Sequence, residues 1–135
     1  MAKTRVMVEF SVYGDAFNPE VVTERLGITP RKYWHKGDTI KKGGIQKRKE
    51  TCWIIGTEYE ESLDTDEQLY KVLDLLERKA GLLKELREMY DLKFKIDIVV
   101  KVENRQPPSM TFGQRIIDFV HEINAWIDID SYIYS

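Results

Sequence analysis

Two apolar rhythms in the chain predict an α+β fold. Val6, Val8, Phe10 and Val12 alternate with Arg5, Met7, Glu9 and Ser11, and Phe94, Ile96, Ile98, Val100 and Val102 alternate with Lys93, Lys95, Asp97 and Lys101. This two-residue period belongs to strands with one buried face. Between them Leu69, Val72, Leu73, Leu76, Ala80, Leu83, Leu86 and Tyr90 recur at three- and four-residue steps, the period of an amphipathic helix. Along the chain the elements fall in the order β-α-β-β-α-β-α-β. Apolar stripes on every helix need one sheet face to cover, which predicts a mainly antiparallel sheet of about five strands with helices on one side. The first six elements have the order of the ferredoxin-like split βαβ unit, followed by a C-terminal αβ extension.

The first strand ends at Gly14-Asp15. Asn18 is a good helix cap, and Pro19 suits a first turn, where no intrahelical N–H is required. Gly27 is placed to end that short helix in a left-handed conformation, and Pro30 prevents its continuation. Within 31–49 Ile40 and Ile45 are the only aliphatic residues and Gly43-Gly44 is a turn signal, so this stretch is expected to hold a strand near 38–42 or a loose hairpin arm. Thr51, Trp53 and Ile55 alternate with Cys52, Ile54 and Gly56, apolar on both faces, as in a central strand. Asp64 and Glu67 have capping-box spacing at the start of the long helix, and Gly81 is expected to break or bend it. Pro107-Pro108 marks a loop, a helix follows near 112–124, and Ile127, Ile129 and Ile133 form a last strand with Asp128, Asp130 and Tyr132 turned to solvent.

At 135 residues, 42% hydrophobic and 33% charged, the chain fits a single domain over 1–135 that buries its own core. Cys52 is the only cysteine, which excludes an internal disulfide, and its setting beside Trp53 and Ile54 is that of a small buried hydrophobe. No apolar stretch has the form of a signal peptide or reaches the 18 or so residues of a membrane span. The default expectation is a cytoplasmic protein with no membrane partner.

The net charge of −2 conceals an uneven distribution. Arg31, Lys32, Lys36, Lys41, Lys42, Lys47, Arg48 and Lys49 face one acid, Asp38, so the segment carries +7 and the rest of the chain −9. Such asymmetry belongs either to a partner-binding surface or to a solvated hairpin beside an acidic helix start.

Phe10, Gly14-Asp15, Phe17, Pro19, Thr23, Leu26-Gly27-Ile28, Pro30, Trp34, Lys36-Gly37-Asp38, Trp53 and the closing Ile127-Asp128-Ile129-Asp130 with Tyr132 form a pattern over nearly the whole chain. Its most specific part is L-G-I-T-P followed by W-H-K-G-D. The pattern resembles an uncharacterised bacterial family catalogued among the domains of unknown function. The resemblance implies a shared α+β fold and carries no activity. The basic run 41–49 stands outside it.

Chemical motifs are scarce. His35 and His121 are far apart and make no metal-ligand pair, and Asp128 and Asp130 lack the glycine turn of a calcium loop. There is no nucleophile elbow, and Lys41-Lys42-Gly43-Gly44 has neither Walker nor dinucleotide spacing. These readings lead to a non-catalytic protein without a cofactor. The candidate binding residues are Tyr33, Trp34, Lys36, Asp38, Lys41, Lys42, Lys47, Arg48 and Lys49. Tyr33 and Trp34 would anchor a partner while the basic residues steer and complement it. The leading expectation is recognition of an acidic protein surface, of which an inhibitor or immunity-type protein is one form. The first alternative is RNA or single-stranded DNA, bound by base stacking on the aromatics and phosphate contacts from the lysines. The second is a small-molecule regulatory module, which rests on fold analogy.

Overall fold

The computed structural model describes residues 2–134. β1 (Arg5–Gly14) is followed by α1 (Pro19–Leu26), β2 (Lys32–Trp34), β3 (Thr51–Gly56) and β4 (Glu60–Glu61). Then come α2 (Asp66–Leu76), a 3₁₀ turn (Glu77–Lys79), α3 (Ala80–Tyr90), β5 (Lys93–Val102), α4 (Gln114–Ile123) and β6 (Trp126–Ile133). The architecture is α+β: a mixed six-stranded sheet and three helical units, the second of them broken into α2 and α3.

The sheet runs β2-β3-β1-β5-β6, with β4 paired to the start of β1. β1 is antiparallel to β3, β4 and β5, and β2 is antiparallel to β3. β5 and β6 are parallel, which a connection through a helix allows and a tight hairpin does not. The sheet is therefore mixed and has one strand more than the sequence predicts. Val6, Val8, Phe10 and Val12 of β1, Trp53 and Ile55 of β3 and the even-numbered apolar residues of β5 form one core with the helices. Phe10 stacks on Phe94 at 5.8 Å between ring centroids and meets Phe119 of α4 at 6.5 Å, tying the sheet to its cover. Trp53 is fully enclosed and donates its indole N–H to Thr23 of α1 at 3.0 Å.

The local signals for α1 hold. Asn18 accepts from the Glu20 amide at 3.0 Å, and Gly27 adopts φ 67° with its N–H on the Thr23 carbonyl. At α2 the N-cap is Thr65 and the expected capping box does not form. Asp64 accepts from the Asp66 amide at 3.0 Å, while Glu67 accepts a hydrogen bond from Ser62 instead of returning to Asp64. The break in the long helix falls at Glu77–Lys79, ahead of Gly81. Leu69, Val72, Leu73 and Leu76 before this 3₁₀ turn and Ala80, Leu83 and Leu86 after it are all buried.

One alternative holds and one expectation needs correction. For 38–42 the loose hairpin arm is found and not the strand: 37–48 is a loose hairpin, and the strand of this stretch lies at Lys32–Trp34. The hairpin is held by the Gly37 amide on the Arg48 carbonyl, the Arg48 amide on the Asp38 carbonyl and the Ile40 amide on the Gln46 carbonyl, all at 2.7–2.9 Å. Its charged residues have no apolar alternation with which to join the sheet. In β6, Asp128, Asp130 and Tyr132 are exposed as expected, but so are Ile129 and Ile133. α4 is about 15 Å long and β6 about 26 Å, so the helix cannot cover the whole strand.

Gly56 pairs with Glu9, and a Cβ built on it would lie 2.6 Å from the Val8 carbonyl oxygen. Gly56→Ala is expected to lower stability by about 3 kcal/mol, the upper end for overpacking, measured by urea unfolding.

Candidate functional site

Because the helices occupy one face, alternate residues of every strand fall on an uncovered face. Cross-strand register places Trp34, Cys52 and Tyr13 in one row of that face and Lys32, Ile54, Ser11, Lys95 and Trp126 in the next. Glu9, Asp97 and Asp128 form a third row across β1, β5 and β6. The hairpin folds over one end, and Ile40, Lys47, Arg48, Lys49 and Glu50 complete a groove of about 550 Å³. This volume lies within the range of small-molecule pockets, roughly 300–1,000 Å³.

The hairpin is fastened to the sheet through Trp34. The Arg48 guanidinium lies 3.8 Å from the centre of its ring, a cation–π contact that the backbone bonds at Gly37 and Asp38 hold in place. The floor is polar and densely paired. Lys32 lies 3.7 Å from Glu9, and Lys95 lies 3.7 Å from both Asp97 and Asp128. Burial holds the Asp97 carboxyl above the usual range for aspartate; Lys95 opposes this, while Asp128 and Glu9 reinforce it. Burial also raises the Tyr13 phenol, and it pushes the Cys52 thiol up to about 11. Cys52 is thus the small buried residue that its neighbours predict, and its thiol stays protonated at neutral pH.

The nine sequence candidates do not act as one set. Trp34, Lys47, Arg48 and Lys49 meet at the groove. Tyr33 pairs with Trp53 and so points to the helix side, where it lines a separate hollow with Pro19, Thr23 and Pro30. Neighbours on a strand face opposite ways, and Tyr33 and Trp34 therefore do not share a sheet face. Lys36 donates to Asp15 at 2.5 Å, and Asp38 accepts from the His35 amide at 2.8 Å, so both build the loop. Lys41 and Lys42 are exposed at the hairpin tip, outside the groove.

Glu9, Ser11, Tyr13, Lys32, Lys95, Asp97, Trp126 and Asp128 are groove residues that sequence reasoning missed. Their signal was present in the polar positions of β1 and β5, which alternation alone assigns to plain solvent. Among the described residues no group of three or more His, Cys, Asp or Glu is placed to hold a metal ion, and no helix is long and apolar enough to cross a membrane.

Fold and groove together define a small α+β domain with one sheet face packed and the other left as a partly roofed groove. Residues 3–134 match the family described as a domain of unknown function, DUF4279, and the chain belongs to that family. No curated protein and no solved structure matches the chain.

Asp97 ionises less readily in the folded chain than at its ordinary value of 3.8. Between that value and the raised one the folded state holds more protons than the unfolded state, so stability falls as pH rises through this window and the penalty persists at neutral pH. Asp97→Asn is expected to melt at a higher temperature than wild type at pH 7. The difference should vanish below about pH 3, where both folded and unfolded carboxyls are protonated.

Proposed function

We propose that the chain is a non-catalytic recognition module that binds an acidic segment of a protein partner along the hairpin wall of the groove. One observation carries this reading: Arg48, stacked on Trp34, stands between Lys47 and Lys49 at the rim of an otherwise open sheet face. A rim of three cations attracts and orients an acidic partner, and the apolar surface of Trp34, Ile54 and Trp126 offers a seat for one inserted side chain. An inhibitor or immunity-type role is one form that such recognition takes. The split βαβ arrangement expected from the element order belongs to the same proposal. It is supported by pairings that set β1 parallel to β2 across β3, and β3 parallel to β5 across β1.

The groove volume favours a second reading, a small-molecule regulatory site. Its floor sets the carboxylates of Glu9, Asp97 and Asp128 a few ångströms from Lys32 and Lys95, which suits a ligand carrying both charges. RNA or single-stranded DNA fits less well, because the carboxylate row lies across the face on which bases would stack.

Affinity capture from the native host with wild-type and Trp34→Ala baits, followed by calorimetry on the captured partner, tests the proposal. Trp34→Ala and Arg48→Ala are each expected to weaken binding by about 2 kcal/mol, roughly thirtyfold, and Lys41→Ala and Lys42→Ala by far less. Binding that is indifferent to Trp34 would refute the reading. A partner that proves to be nucleic acid, with affinity falling steeply as salt rises, would replace it with the nucleic-acid alternative.

A further inference from the structure

We propose that β6 is a self-association edge: two copies of the chain pair antiparallel through β6, about a two-fold axis at Ser131, and join their sheets into one. The proposal is independent of the groove's ligand. The two ends of the sheet differ in a way that points to it. β2, at one end, has three residues and is followed at once by the charged hairpin. β6, at the other, has eight residues, all paired to β5, and among the described residues nothing pairs with its outer side. It contains no proline and no lysine, the usual guards of an exposed edge. Its inward alternation is nonetheless apolar, and Ile129 and Ile133 are 48% and 78% exposed.

The guards that β6 does carry, Asp128 and Asp130, exclude two registers, and the two isoleucines choose among the rest. A two-fold axis perpendicular to the sheet sets residues of the same parity opposite each other. Centred on Ile129, the pairing would put Asp128 against Asp130 of the second copy; centred on Asp130, it would put that residue against itself. Like charges directly opposite are destabilising. Centred on Ser131, every pair is complementary. Ile129 meets Ile133 of the second copy on the helix side, while Asp130 meets Tyr132 and Asp128 meets Tyr134 on the open side. The chain already makes the same kind of contact within itself, for Tyr132 donates to Asp130 at 3.0 Å. The second copy therefore covers the two isoleucines and leaves no carboxylate facing another.

Sedimentation equilibrium across micromolar concentrations, together with cysteine cross-linking, tests this. The wild-type chain is expected to sediment at twice its own mass, and Ile129→Lys/Ile133→Lys at the monomer mass with an unchanged circular dichroism spectrum. Ser131→Cys is expected to yield a disulfide-linked, reducible dimer, because residues directly opposite lie within bridging distance. Ile129→Cys and Asp128→Cys, several positions from their own copies, should not cross-link. Wild type that is monomeric at every concentration, a dimer that survives the double lysine substitution, or cross-linking at 129 in place of 131 would each overturn the proposal.

Discussion

Strand β1 is hydrogen-bonded along both edges, to β5 from Arg5 to Tyr13 on one side and to β3 and β4 on the other. A strand paired on both sides has no backbone left to satisfy, so its side chains alone decide what lies above and below the sheet. Val6, Val8, Phe10 and Val12 are all at zero exposure and take the whole helical layer onto one face. The other face receives Glu9, Ser11 and Tyr13 and is covered only at its ends. At one end the hairpin closes over Trp34; at the other Lys101 lies 4.0 Å from the centre of the Tyr59 ring, and Arg5 lies 5.7 Å from it. The groove is the part of that face left between the two covers.

Tertiary structure also redistributes the charge that is so uneven in sequence. Arg31 pairs with Glu58, Lys32 with Glu9 and Lys36 with Asp15, so acids from distant segments meet the first three cations of the basic run. On the hairpin, Lys41, Lys42, Lys47, Arg48 and Lys49 form no ion pair among the described residues. Exposed pairs of this kind contribute at most about 1 kcal/mol to stability. Their larger effect is to narrow a +7 segment to a local positive rim beside a floor of alternating charge.

The helix caps and core faces were legible from sequence because their causes are local. Asn18, Pro19 and Gly27 act within one turn of chain, and the alternation in β1 and β5 follows from the pleat. The site was legible only in part. Trp34 and the basic residues 47–49 stand out by type. Glu9, Asp97 and Asp128 do not, because they come from three strands and are joined only by cross-strand register. The separation of Tyr33 from Trp34 was hidden for a related reason. The partner of Tyr33, Trp53, sets the face it points to, and that pairing is a property of β2 against β3.

By itself, then, the sequence determined the α+β class, the inward face of each long strand, the ends of α1 and the burial of Cys52, because short-range backbone geometry and apolar periodicity suffice for these. Only the tertiary structure decided that β5 and β6 run parallel, that the hairpin roofs the uncovered face, that charges from β1, β5 and β6 share one row, and that Ile129 and Ile133 lie bare. Each of these depends on which strands become neighbours and how far a helix reaches. Such outcomes are set by long-range contacts, which no local pattern of residues encodes.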